Sequence, residues 1–111
     1  MSLLEQKITI KNKLGLHARA AVKLAELALK FDATVTLVHG DKSASAASVM
    51  GLLMLETCQG QQIVIQAQGV DANNALEAVR QLIEDKFEEI EEVTIYRSRF
   101  QAIAQRIKEV Q

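Results

Sequence analysis

Proline is absent from the chain, and tryptophan with it. Without proline no turn can rest on a ring-locked φ, so reversals fall to Gly, Asn and Asp. Aromatic residues are scarce: one Tyr (Tyr96) and three Phe (Phe31, Phe87, Phe100). The core must therefore be aliphatic, drawn from the hydrophobic residues that make up 49% of the chain. A single cysteine, Cys58, excludes an intramolecular disulfide and points to a reducing compartment. Excess charge of one sign is missing too, with 13 basic residues against 14 acidic ones and a net charge of -1. No bulk field draws the protein to nucleic acid or to an anionic membrane. The apolar runs are a few residues long, too short to span a bilayer. Met1 to Glu5 lack the basic patch and long apolar stretch of a signal peptide. A cytoplasmic protein is expected, one that binds no nucleic acid and inserts into no membrane. Its 111 residues suit one folded domain.

What is present is periodic. Lys7-Ile8-Thr9-Ile10-Lys11 alternates polar and apolar, which predicts a half-buried strand. Asn12 to His17 reads as a loop. Ala18 to Lys30 predicts a helix, with Ala21, Leu24, Ala25, Ala28 and Phe31 on one stripe. Ala33 to Val38 alternates again. His39-Gly40-Asp41 predicts a tight turn into a short edge strand, Lys42 to Ala46. Ser48 to Leu55 predicts a compact helix with Ser48 as its N-cap. Gln62 to Ala67 places Ile63, Ile65 and Ala67 on one face of a fourth strand. Asp71 is positioned to cap a third helix, whose stripe is Ala75, Leu76, Val79, Leu82, Ile83 and Phe87. The order β-α-β-β-α-β-α predicts an α+β fold. Four short strands form an antiparallel sheet, and three helices cover one face of it.

Beyond about residue 89 the character changes. Glu84 to Glu92 hold six acidic residues and one Lys, whereas Val93 to Gln111 hold four basic residues and one acidic one. Phe100, Ile103, Ala104, Ile107 and Val110 recur at helical spacing. The division expected is a domain over 1–89 and a helical C-terminal extension over 90–111. That extension either packs back on its own domain, leaving a monomer, or forms a dimer or partner surface.

His17 is the most informative side chain. It lies in a Gly-x-His loop at the start of a predicted helix. Helix starts present unpaired N–H groups and the positive end of the macrodipole, which suits a phosphoryl group. Arg19 can turn its fork toward the same anion, and Gly15 permits a sharp backbone turn. Together they suit a covalent phosphohistidine site. On these residues alone, a plain exposed N-cap remains an equal alternative. No second His or carboxylate stands at a spacing that demands a triad or a metal, and no metal or cofactor is expected. His39 reads as a solvated turn residue, and Cys58, lacking a basic neighbour, as inert.

Two blocks of residues carry a family resemblance. One is Asn12-Lys13-Leu14-Gly15-Leu16-His17-Ala18-Arg19-Ala20-Ala21, with Lys23-Leu24 and Phe31-Asp32-Ala33. The other is Ser48-Val49-Met50-Gly51-Leu52-Leu53-Met54-Leu55, followed by Gly60 and Ile63-Val64-Ile65. Over roughly residues 5–88 the chain resembles HPr, the histidine-containing phosphocarrier of the bacterial phosphoenolpyruvate phosphotransferase system, and its nitrogen-branch relative NPr. The resemblance implies an HPr-like open-faced sandwich and a phosphoryl carrier that is not itself an enzyme. His17 would take the phosphoryl group on Nδ1 from Enzyme I and pass it to an Enzyme IIA component, serving sugar uptake or nitrogen-branch regulation.

Position by position, Arg19 corresponds to the arginine that steadies the phosphoryl group, and Ala18 and Arg19 would offer backbone N–H groups to it. The family commonly has Pro where this chain has Ala20, which implies a modest change of site geometry. Ser48 aligns with a serine that a dedicated HPr serine kinase phosphorylates in some members; a plain N-cap is the other reading. Val49, Met50 and Leu53 correspond to a partner-docking surface, while Leu52 and Leu55 read as core. The alternative function is a regulatory adaptor controlled by Ser48 phosphorylation and protein binding. Adaptors of that type often lack the active histidine, which this chain keeps.

Overall fold

Alternating side chains put one face of each strand into a common core, and the helices close over it. The computed structural model describes residues 3–88. The expected helix over 90–111 lies outside the described residues. In chain order the elements are β1 (Leu4–Thr9), α1 (Ala18–Ala28), β2 (Thr34–His39), β3 (Lys42–Ser45), α2 (Val49–Leu53), β4 (Gln62–Gln68) and α3 (Ala72–Glu84). A short 3-10 turn, Lys86–Glu88, follows. The four strands form one antiparallel sheet in the order β1-β4-β2-β3. The expected α+β architecture is therefore found, with β3 at an edge.

The register explains the one-sided core. Ile8 pairs with Ile63, and Ile65 pairs with Leu37 across the central strands. Ile8, Val35, Leu37, Ile63, Ile65 and Ala67 are all buried on the helical face. The opposite face carries Glu5, Lys7, Thr36 and Gln66, and Gln66 donates a 2.9 Å hydrogen bond to Glu5. From α1 come Ala20, Ala21, Leu24, Ala25 and Ala28, and from α3 Ala72, Ala75, Val79 and Ile83. The alanines let α1 pack close against α2 and α3, within a core that has few aromatics.

Several element ends, and the contacts made there, differ from the sequence reading. β1 begins at Leu4, three residues early, because β4 extends far enough to pair Ala67 with Leu4. Beyond the strand, Ile10 stays tied to the loop before β4, through its own N–H to Gln61 at 2.9 Å and its carbonyl to Gly60 at 2.8 Å. Asp71 sits at the N-cap position of α3, yet its side chain makes no capping bond. Its Oδ2 accepts instead from the Asp32 N–H at 2.8 Å, and the Asp32 carbonyl accepts from the Asp71 N–H at 3.0 Å. Pairing of two loops far apart in sequence outcompetes the local cap. His39, expected in a turn, closes β2, and its Nδ1 lies 3.0 Å from the Leu55 carbonyl.

The chain leaves α3 through a left-handed turn at Lys86, Phe87 and Glu88, with φ of 58°, 55° and 56°. Each such residue is strained by roughly 1–2 kcal/mol when it bears a Cβ. Burial of Phe87, 2% exposed, offsets this, and Lys23 on α1 donates to the Phe87 carbonyl at 3.0 Å. On the outer face of α3, a hydrogen bond from Arg80 holds the Glu77 carboxyl below the ordinary carboxylate range.

Candidate functional site

The approach to His17 is built from a turn that only glycine can make. Gly15 has φ +63°, and a Cβ there would lie 2.3 Å from the Thr57 carbonyl oxygen. That carbonyl accepts from the Leu16 N–H at 3.4 Å. Glu56, at φ 52°, turns the chain after α2 so that Thr57 reaches the loop. Asn12, 1% exposed, closes the other side: its carbonyl accepts from the Gly15 N–H at 3.2 Å, and its Nδ2 donates to the Gly15 carbonyl at 2.7 Å. Leu16 then plugs into the core at 5% exposure, leaving His17 at the surface of the helix start.

His17 occupies the N-cap position of α1 with extended backbone, φ -81° and ψ 177°. Its carbonyl accepts from the Ala21 N–H at 2.8 Å. Its ring makes no side-chain cap bond. Expected to be exposed, the residue is half-buried, with Nε2 on the buried edge. At the first turn, Ala18, Arg19 and Ala20 precede the first intrahelical donor, so their N–H groups face the helix end without intrahelical acceptors. Ala18 and Arg19 are exposed, whereas Ala20 is fully buried. The structure thus brings His17, Ala18 and Arg19 to one helix end, where partial positive charge gathers.

α2 packs against α1 beside this site. Ser48 caps it, its Oγ accepting from the Gly51 N–H at 3.1 Å. Leu52 and Leu55 are buried at 0% and 1% exposure. Met50 is 70% exposed, while Val49 and Leu53 are half-buried and packed against the core. Met54, at 69% exposure, joins Met50 one helical turn away and was missed from sequence. The four-residue spacing of the two methionines was the available signal. Leu14, 56% exposed, adds apolar surface on the loop before His17. Asn12 and Thr57 were also missed as shapers of the site, because polar residues in loops ordinarily read as solvated. Cys58 is exposed, and its backbone N–H donates to the Gln61 side chain at 2.7 Å.

Among the described residues no group of three or more His, Cys, Asp or Glu is placed to hold a metal ion, and no helix is long and apolar enough to cross a membrane.

Comparison with known proteins adds a consistent set of relatives. Residues 4–85 match the family model described as the PTS HPr component phosphorylation site. The phosphocarrier protein NPr of Shewanella violacea is 58% identical over 89 residues, covering 80% of this chain and 98% of that protein. The phosphocarrier protein HPr of Xylella fastidiosa strain Temecula1 is 39% identical over 87 residues, covering 78% and 98%. The crystal structure of HPr-C-His from Thermoanaerobacter tengcongensis superposes with a TM-score of 0.74 at 39% identity, covering 78% of this chain and 98% of that one. With this match and the open-faced sandwich, the chain belongs to the HPr/NPr family of phosphotransferase-system phosphocarriers.

Proposed function

We propose that His17 is the residue that carries the phosphoryl group. The observation that carries this reading is the ring's position at the start of α1, with Nε2 buried and the N–H groups of Ala18 and Arg19 at the same helix end. A buried Nε2 is closed to attack along the P–N axis, which leaves Nδ1 as the nucleophile. With its proton on Nε2, the ring offers the Nδ1 lone pair to the phosphorus of a phosphohistidine on Enzyme I. A new P–N bond forms as the donor's breaks, and the donor imidazole keeps the departing electron pair. The Ala18 and Arg19 N–H groups and the Arg19 guanidinium steady the three phosphoryl oxygens. The shallow site holds the group without trapping it, so that an Enzyme IIA nucleophile can take it away. Met50, with Val49 and Leu53 at its flanks and Met54 beside it, forms the apolar surface on which partners dock; thioethers adapt to several shapes.

The nitrogen branch is the service this chain fits best, on the higher identity to an NPr (58%) than to an HPr (39%). Incubation with Enzyme I and phosphoenolpyruvate should place acid-labile, base-stable label on the wild-type chain. His17→Ala should remove the label and keep the thermal transition. A wild-type chain that stays unlabelled beside a labelled control HPr overturns the His17 reading. Faster transfer to a sugar-type IIA than to a nitrogen-type IIA overturns the branch.

A further inference from the structure

The peptide unit between Gly15 and Leu16 is held at both poles. Its carbonyl oxygen accepts from Asn12 Nδ2 at 2.7 Å, and its N–H donates to the Thr57 carbonyl at 3.4 Å. Asn12 is 1% exposed and Thr57 is 6% exposed, so water competes for neither bond. A peptide fixed at both ends cannot rotate about its Cα–Cα axis, and that plane directs the chain into His17. The Thr57 contribution is backbone, which any residue supplies. The Asn12 contribution is a side-chain amide at the one loop position whose own carbonyl also receives the Gly15 N–H.

We propose that Asn12 is a positioning residue for phosphoryl transfer: its amide locks the Gly15–Leu16 peptide and thereby sets the His17 ring against the N–H groups of Ala18 and Arg19. The inference rests on His17 as the phosphoryl acceptor. Asn12 touches neither the phosphoryl group nor a partner in this scheme. A lost lock lets the ring drift by a fraction of an ångström, and misplacement on the order of 1 Å reduces transfer by roughly 10²-fold.

The variant Asn12→Asp keeps the size and removes the donor; Asn12→Ala removes the group. Rates of phosphoryl acceptance from phosphorylated Enzyme I are measured as a function of carrier concentration, with Ile83→Val as a distant core control. The expected result is a maximal rate lowered at least tenfold in both Asn12 variants, with KM within about twofold of wild type. The nitrogen resonances of the His17 ring should move in the unphosphorylated variants and stay in place in Ile83→Val. In the wild-type chain, one Asn12 side-chain amide proton should exchange slowly with solvent. Wild-type maximal rates, an effect confined to KM, unmoved His17 resonances, or a fast-exchanging Asn12 amide would each overturn the proposal. A wild-type chain that accepts no phosphoryl group would remove the His17 reading instead, while ring resonances and amide exchange still judge the lock.

Discussion

Gly15 and Gly40 have nearly the same backbone conformation, φ +63° and +61°, but opposite surroundings. An alanine Cβ at Gly40 meets nothing within 4 Å, whereas at Gly15 it would lie 2.3 Å from the Thr57 oxygen and 3.1 Å from the Cys58 Cα. Both substitutions incur the left-handed penalty of about 1–2 kcal/mol. Only Gly15→Ala must also push two backbone segments roughly 1 Å apart to reach an ordinary carbon–oxygen contact of about 3.3 Å. That movement breaks the Leu16–Thr57 hydrogen bond, worth about 1 kcal/mol, and disturbs Leu16 in the core. Gly15→Ala should therefore lose about 3 kcal/mol or more, which lowers Tm by roughly 12–24 °C for a domain of this size. Gly40→Ala should lower it by no more than about two thirds as much. Because the displaced peptide leads into His17, the first variant should also slow phosphoryl acceptance on the order of 10²-fold at a temperature where it is folded, and the second should leave it unchanged. Calorimetry and a transfer assay read both effects. Equal Tm losses, or an unaltered rate in Gly15→Ala, would refute the close-approach account of the loop.

Other substitutions separate docking, capping and strain. Met50→Asp should raise the KM for phosphoryl transfer several-fold and leave Tm nearly unchanged, since Met50 is 70% exposed; Leu52→Ala, on the buried side of the same helix, should lose about 2–5 kcal/mol of stability by calorimetry. Ser48→Ala should lose about 1 kcal/mol through the missing cap bond to Gly51, measured by denaturant unfolding. Lys86→Gly should gain about 1 kcal/mol, because the residue is held at φ 58°, and a loss in the same unfolding experiment would contradict the strain assigned to that turn.

The fold was readable in this chain because its strands bury one face only. Ile63, Ile65 and Ala67 alternate with polar residues, and the stripe of Ala75, Val79 and Ile83 repeats at helical spacing, so period alone placed most elements. Long-range pairing was not readable. Asp71 looked like a cap and instead bonds the Asp32 N–H, and His39 looked solvated and instead reaches the Leu55 carbonyl. Both depend on which loops the topology brings together. At the candidate site, the placement of His17, Ala18 and Arg19 at one helix start was legible from a local motif and from resemblance. The buried Nε2 of His17 and the grip on the preceding peptide were not, since Thr57 lies some 40 residues along the chain and Asn12, a polar residue in a loop, reads as solvated.

A pulse–chase on isolated phosphorylated carrier tests the borrowed-and-returned phosphoryl group most directly. The chain is charged by Enzyme I, freed of donor, located by fragmentation mass spectrometry, and mixed with unphosphorylated Enzyme IIA. A single phosphoryl group should be found on His17 and should depart to the Enzyme IIA. A group lodged on another residue, or one that stays on His17 in the presence of every Enzyme IIA offered, would contradict it.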